Sequence, residues 1–257
     1  MALIDESTPF DVDILNASVI GVAARVGKHD SGMHQHIKAQ LLYAPQGCMT
    51  VMLDEVKCVL PPTRAMWIPS GTNHCITMTN VVEYRSLHFD VEVTRNVEPR
   101  MRIVEVNPLL QALIERMAFW PWDKNESETV NTTALFLEEF EHAPEYHLAL
   151  PYPTDRRLTA WVKQLSQQTT NAPSLHRLSE QVGASSKTIS RIFTKETGMS
   201  YQAWRQQWRL LKAIELLSSS YQVNDVAYQL EFSSDSAFIA FFKQQTGKTP
   251  LQFLHSP

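Results

Sequence analysis

The stretch Leu178-Ser179-Glu180-Gln181-Val182, followed by Ile189…Ile192-Phe193…Thr197-Gly198, returns later in the chain. Val226-Ala227-Tyr228-Gln229-Leu230 matches its first part at a shift of 48 residues, and Phe238…Phe241-Phe242…Thr246-Gly247 matches its second part at a shift of 49. Each copy reads as an apolar helix, a short turn and a second apolar-faced helix closed by Gly198 or Gly247. Glycine is the residue that most readily adopts the left-handed conformation of a C-cap. The pattern predicts two helix-turn-helix units.

Between the copies, Tyr201, Trp204, Trp208, Leu211, Ile214 and Leu217 recur every three or four residues from Ser200 to about Ser218. That spacing predicts one helix of about 25 Å with a single buried stripe, its tryptophans in the core rather than stacked on bases. Helix starts are expected at Thr154 or Asp155, Ser174, Ser185 or Ser186, Ser200 and Asn224, each a competent N-cap.

In the first copy Ile189, Ile192 and Phe193 fall on one side of the second helix, which leaves Lys187, Thr188, Ser190, Arg191 and Lys195 on the other. A cationic, hydroxylic face suits a major groove: Arg191 can pair bidentately with guanine, and Lys187, Thr188 and Ser190 can reach bases or phosphates. The second copy offers Asp235, Ser236, Ala240 and Lys243 outside Phe238, Phe241 and Phe242. Only Lys243 is basic there, so specificity is expected in the first helix.

Residues 154–254 resemble the DNA-binding domain of the AraC/XylS family of bacterial transcription regulators. The resemblance rests on Ser190-Arg191-Ile192-Phe193-Thr194-Lys195-Glu196-Thr197-Gly198-Met199-Ser200 and on Phe232-Ser233-Ser234-Asp235-Ser236-Ala237-Phe238…Phe242-Lys243…Gly247-Lys248-Thr249-Pro250. It implies two units joined by a rigid helix and set into successive major-groove faces, with Lys187, Ser190 and Arg191 facing DNA in the first and Asp235, Ser236 and Ala240 in the second. Against the family pattern, Glu231 stands at a turn position usually held by glycine, and Ala240 stands where arginine is common.

Charge divides the chain at Pro151-Tyr152-Pro153. Residues 1–150 carry 11 Lys/Arg against 20 Asp/Glu, and residues 151–257 carry 12 against 7. An acidic front joined to a basic rear fits one domain that meets a polyanion and one that does not. No apolar run has the roughly 20 residues of a membrane span, and Asp5, Glu6, Asp11 and Asp13 stand where a secretory signal carries positive charge, so a cytoplasmic protein with no membrane partner is expected. Cys48, Cys58 and Cys75 form no CxxC pair and read as free thiols.

The front reads as many short strands: Ala17 to Val26, Ala39 to Ala44, Cys48 to Leu53, Val56 to Leu60, Ala65 to Ile68, His74 to Met78 and Tyr84 to Phe89. Turn residues such as Gly32, Gly47, Pro61, Pro69 and Gly71 separate them, which argues a sandwich or small barrel. Two helices follow from Asn107, one carrying Leu109, Leu110, Leu113, Ile114 and Met117. The expected class is therefore α+β with two domains: a cupin-like sensor barrel over 1–105, a helical and dimerising segment over 106–150, and an all-α double helix-turn-helix domain over 154–254. The apolar residues of 106–150 can serve either a dimer contact or burial against their own barrel.

His34-Gln35-His36-Ile37-Lys38-Ala39-Gln40, with six residues between Gln40 and Gly47, and the later Pro69-Ser70-Gly71-Thr72-Asn73-His74 resemble the two motifs of the cupin barrel. The resemblance implies that His34, His36, His74 and the residue at Gln40 surround a divalent metal, for which imidazole suits Zn, Ni, Cu or Fe. Gln40 replaces the family's glutamate, and an amide oxygen compensates no metal charge. His29 and His88 read as structural or pocket-edge residues. Leu60 to Pro69 resembles AraC-type sensor barrels, which makes Leu42, Trp67 and Tyr84 candidates to line a small-molecule pocket beside the histidines. Taken together, the chain is expected to be a non-enzymatic regulator whose partners are promoter DNA, a small effector, a second copy of itself and, were it an activator, RNA polymerase. The alternative is a metal-dependent cupin oxygenase or isomerase with a tethering rear domain.

Overall fold

A computed structural model describes residues 11–167 and 170–255, so Asp5 and Glu6 lie outside the described residues. Two compact units divide the chain: residues 1–51, 60–147 and 251–257 form the first, and residues 52–59 and 148–250 form the second.

The first unit is built on a five-stranded sheet in the order β1 (Val19–Val26), β8 (Val82–Phe89), β3 (Ala39–Gln46), β6 (Arg64–Ile68), β9 (Arg102–Glu105), all antiparallel. A second sheet contains β2 (His29–Asp30), β7 (His74–Met78), β4 (Met49–Leu53) and β5 (Val56–Leu60). The strands expected from the sequence are present, and β2 and β9 are additions too short or too plainly flanked to stand out.

On the first sheet, period-2 alternation points Leu41, Tyr43, Ala65, Trp67, Leu87 and Phe89 to one face. There they form one hydrophobic cluster with Leu110, Leu113, Ile114 and Met117 of α1 (Pro108–Ala118) and Phe136 and Phe140 of α2 (Val130–His142). Both helices therefore spend their apolar stripe on their own sheet, while Leu109 and Phe119 remain exposed. Gly21 permits that approach: a Cβ there would lie 2.0 Å from the Met117 carbonyl oxygen.

The second unit is helical apart from most of β5 and β10 (Ala149–Pro151), which pair antiparallel with each other. Its helices are α3 (Thr159–Ser166), α4 (Leu175–Val182), α5 (Ser186–Thr197), α6 (Tyr201–Ser218), α7 (Val223–Gln229) and α8 (Asp235–Thr246). Ser174, Ser185 and Ser200 cap α4, α5 and α6 through their side chains, as their sequence positions predict. By contrast α3 starts after Leu158 and α7 after Gln222, neither with a side-chain cap; Asp155 instead accepts from the Arg157 N–H and side chain. All six residues of the α6 stripe are buried, and Trp204 lies among Trp161, Phe193 and Tyr201 at centroid distances of 5.2–6.2 Å.

Glu215 of α6 pairs with Lys57 at 2.5 Å and Lys212 at 3.2 Å, all three side chains being largely buried. Burial pushes the Glu215 carboxyl up, and the two ammonium groups more than offset that, so it ionises below its ordinary value of 4.5. Its contribution to stability is thus fully present above about pH 4.5 and is lost as pH falls through the lower folded value. Lys57→Met should cost about 2 kcal/mol at neutral pH, less than the roughly 3–5 kcal/mol of a pair stripped of every partner because Lys212 remains. Urea melts at pH 7 and pH 4 check this, and the deficit should shrink at the lower pH.

Candidate functional site

The histidines of the first unit are locked by backbone bonds. His34 and His74 form an isolated antiparallel bridge, each N–H donating to the other's carbonyl at 2.9 and 2.8 Å, and the Gly71 N–H donates to the His36 carbonyl at 2.9 Å. One ring nitrogen from each of His34, His36 and His74 lies within 4.8 Å of the others.

Their protonation follows from the partners of the other nitrogen. Nδ1 of His34 lies 3.0 Å from the Gly32 carbonyl, Nδ1 of His36 2.6 Å from the Lys38 carbonyl, and Nδ1 of His74 2.9 Å from the Thr72 carbonyl. A carbonyl can only accept, so each Nδ1 carries the proton and each Nε2 of a neutral ring presents a lone pair. Burial pushes His74 down to about 4, which keeps it neutral near pH 7. Its Nε2 is fully buried and has no hydrogen-bond partner. An orphaned lone pair aimed at two others, with each opposite nitrogen held by a backbone carbonyl, is the donor arrangement of a metal-binding histidine set. The residues present therefore fit a divalent metal by their own chemistry.

Gln40 stands beside them, its Oε1 3.3 Å from Nε2 of His36. Its amide nitrogen donates to Ser86 Oγ at 2.9 Å and to Tyr84 OH at 3.4 Å. His88, opposite Gln40 in the β3–β8 register, lies with its ring centroid 5.2 Å from that of His36 and is held well below its ordinary pKa by burial first, then by the neighbouring histidines and Lys38. His88 thus lies at the edge of the site, as its sequence reading allowed, and Ser86 belongs to the surroundings without having been singled out from the sequence. The spacing Tyr84, Ser86, His88 on one strand was the available signal, since alternate residues share a face.

Two pocket candidates share that face: Leu42 pairs with Ser86, and Tyr84 bonds Gln40. Trp67 does not. It pairs with Leu41, points to the opposite face and packs against Phe89 at 5.5 Å and Phe140 at 5.1 Å, so it is a core residue under the helices. The reason is parity: Gln40 and Leu42 are opposite Ile68 and Met66, which puts the intervening Trp67 on the other side.

In the second unit α5 presents Lys187, Arg191 and Lys195, all exposed and, among the described residues, engaged in no ion pair. Ile189, Ile192 and Phe193 are buried behind them. Ser190 is half-buried, and the Thr188 hydroxyl meets that of Ser185 at 2.9 Å, which ties it into the helix cap. On α8, Asp235, Ser236, Ala240 and Lys243 are exposed over buried Phe238 and Phe242, while Phe241 is only half-buried.

Residues 16–140 match the model of an AraC-like ligand binding domain, and residues 178–256 match a helix-turn-helix domain. The chain has AraC-family architecture. A relative of that kind is the HTH-type transcriptional regulator NimR of Escherichia coli, 28% identical over 225 residues, which is 87% of this chain and 82% of NimR. The HTH-type transcriptional regulator RipA of Corynebacterium glutamicum is 32% identical over 103 residues, 40% of this chain and 31% of RipA. A solved structure of ToxT from Vibrio cholerae aligns over 92% of this chain and 98% of that one, at 10% identity and a TM-score of 0.37. The two domain matches, a ligand-binding domain and a DNA-binding helix-turn-helix domain, are the pair that AraC-type transcription regulators carry. Among the described residues no helix is long and apolar enough to cross a membrane.

The repeat makes one departure from the AraC/XylS pattern quantitative. Its shift of 48 residues carries Gly183, the left-handed C-cap of α4 at φ 63°, onto Glu231, which adopts φ 57°. A side chain in that conformation costs about 1–2 kcal/mol, where glycine pays almost nothing sterically. Part of the gain is returned through glycine's freer unfolded chain, so Glu231→Gly should raise stability by about 0.5–1 kcal/mol. The midpoint of chemical denaturation measures it, and an unchanged or lower midpoint would show that the turn is not strained.

Proposed function

We propose that this regulator reads a two-part promoter site through α5 and α8 and answers to a small ligand held at the histidine site of its front unit. The observation that carries the DNA half is the exposed, ion-pair-free cationic face of α5, backed by a second unit of the same design one rigid helix away. Lys187, Ser190, Arg191 and Lys195, with Thr188 held in the cap, face bases and phosphates in one major-groove segment. Asp235, Ser236, Ala240 and Lys243 meet the next segment with fewer base contacts. The exposed Leu109 and Phe119 of the front helices support a homodimer, whose arrangement a ligand shifts by binding one state better than another. RNA polymerase is a partner if the protein activates. The protein works on cytoplasmic DNA as a regulator, not as an enzyme.

At the sensing site, Zn, Ni, Cu or Fe in the divalent state would be held by His34, His36 and His74 with Gln40, Leu42 and Tyr84 adjoining. The metal would supply a Lewis-acidic point of attachment for the effector. The protein's share is to aim three imidazoles through the backbone carbonyls that hold each Nδ1, and to bury all but the His34 side.

Selection from random duplex DNA at near-physiological salt tests the first half. The expected product has two boxes about 10 base pairs apart. Arg191→Ala should relax preference at one position at a cost of about 1–3 kcal/mol, whereas Lys243→Ala should weaken all sites evenly and reduce the salt slope by about one. Equal losses on every sequence in both variants would defeat this division of labour. Cobalt(II) uptake followed by visible absorption tests the second half, with one ion per chain expected and none in His74→Ala.

A further inference from the structure

The charge of the donor set, more than its geometry, distinguishes this site. Among the described residues the group that converges within 4.8 Å contains three histidines and no carboxylate. The acidic side chains closest to it in the hydrogen-bond pattern are committed elsewhere. Asp13 accepts from the Ile37 N–H at 3.0 and 3.1 Å, Asp30 from the Gly32 N–H and the Cys75 thiol, and Asp90 from Lys38 at 3.4 Å. The one position beside the histidines that could carry negative charge holds Gln40. Its amide group lies 2.9 Å from Ser86 Oγ, 3.4 Å from Tyr84 OH and 3.3 Å from Nε2 of His36, so it offers the site a neutral polar group and no charge. Buried Lys38 is paired with Asp90 at 3.4 Å, so that pair brings no net charge to the cluster.

A divalent ion on three neutral imidazoles and one neutral amide keeps its full double charge in a mostly buried setting. Gln40 and His74 are 2% and 0% exposed, and His34 is the least buried of the three ligand histidines, so the approach from solvent is on its side. Uncompensated charge in a medium of low dielectric constant draws an anion strongly, because water screens it poorly there. A glutamate at position 40 would cancel half of that charge and leave the ion less attractive to a second anion.

We infer that Gln40 makes the histidine site an anion receptor: the effector is a small anion, of carboxylate or phenolate type, that completes the coordination of the metal held by His34, His36 and His74. The inference rests on the metal reading given above and adds the charge of the ligand to it. Nothing is oxidised or reduced; a metal–ligand bond forms and a solvent molecule leaves.

The full-length protein loaded with cobalt(II) and titrated with sodium azide, followed through its visible bands, provides the test. The native protein should give a saturable spectral change. Gln40→Glu, nearly the same in shape, should take up cobalt at least tenfold more tightly and bind azide at least tenfold more weakly. Gln40→Met removes the oxygen donor without adding charge, so it should bind cobalt more weakly and still respond to azide. Equal azide affinity in the native and Gln40→Glu proteins overturns the inference, as does cobalt uptake with no azide response, and both results leave the metal reading standing. Absence of cobalt uptake by the native protein overturns both.

Discussion

Side chains along β3 alternate between two faces, and the front unit's two tasks divide along that alternation. Ala39, Leu41 and Tyr43 enter the hydrophobic cluster under α1 and α2, while Gln40 and Leu42 turn to the side that carries Ser86 and His88. β3 is hydrogen-bonded on both edges, to β8 and to β6, so its register cannot slip without moving both neighbours. A slip of one residue would bury Gln40 among aromatic rings and put Leu41 beside the histidines. The aromatic packing of Trp67, Phe89, Phe136 and Phe140 therefore holds the polar site in register from behind, without touching it.

The rear unit answers to a different constraint, the length and burial of α6. Its first turns carry Tyr201 and Trp204 against Phe193 of α5, and Tyr201 OH donates to the Pro173 carbonyl at 2.7 Å. One turn further on, Arg209 donates to the Leu230 carbonyl and lies 3.7 Å from the Phe232 ring centroid, in the turn between α7 and α8. Burial first, and Arg205 next, push the Arg209 guanidinium down to about 10, still charged at neutral pH. A charged group bonded to the Leu230 carbonyl and stacked on the Phe232 ring holds Glu231 in its left-handed conformation. The strain at Glu231 persists because neighbours on both sides specify the turn.

Much of this was legible in the sequence, and the parts that were not share a cause. Local signals were read correctly: the repeat, the serine caps of α4, α5 and α6, the closing glycines, the buried stripe of α6 and most strands. Apart from the repeat, which is a comparison of the chain with itself, each depends on residues a few positions apart. The face of Trp67, the proximity of His88 to His36 and the existence of β9 and β10 depend on which strands are neighbours, and the sequence reports only that alternate residues share a side. Trp67 precedes Pro69 and His74 in the chain and so looked like part of their pocket; its pairing with Leu41 sends it to the other face. The starts of α3 and α7 were missed for a related reason. Leu158 and Gln222 cap nothing through their side chains, so packing sets those ends and no local signal marks them.

The histidine site shows how a sequence departure can be misjudged when only ligand strength is weighed. A neutral amide is a poorer donor than a carboxylate, and from that alone Gln40 argues against metal. In the structure the same residue is buried and sits within hydrogen-bond reach of Ser86, Tyr84 and His36, so it remains part of the polar site. A ligand-responsive protein also has a need that a catalyst lacks: its bound state must be reversible within the concentrations it monitors, since an effector shifts an equilibrium only by the difference in its affinity for two states. A donor set without negative charge weakens the hold on the ion and leaves its charge available to whatever binds next. On the metal reading proposed above, loss of the carboxylate changes the role of the site from retaining a metal to presenting one.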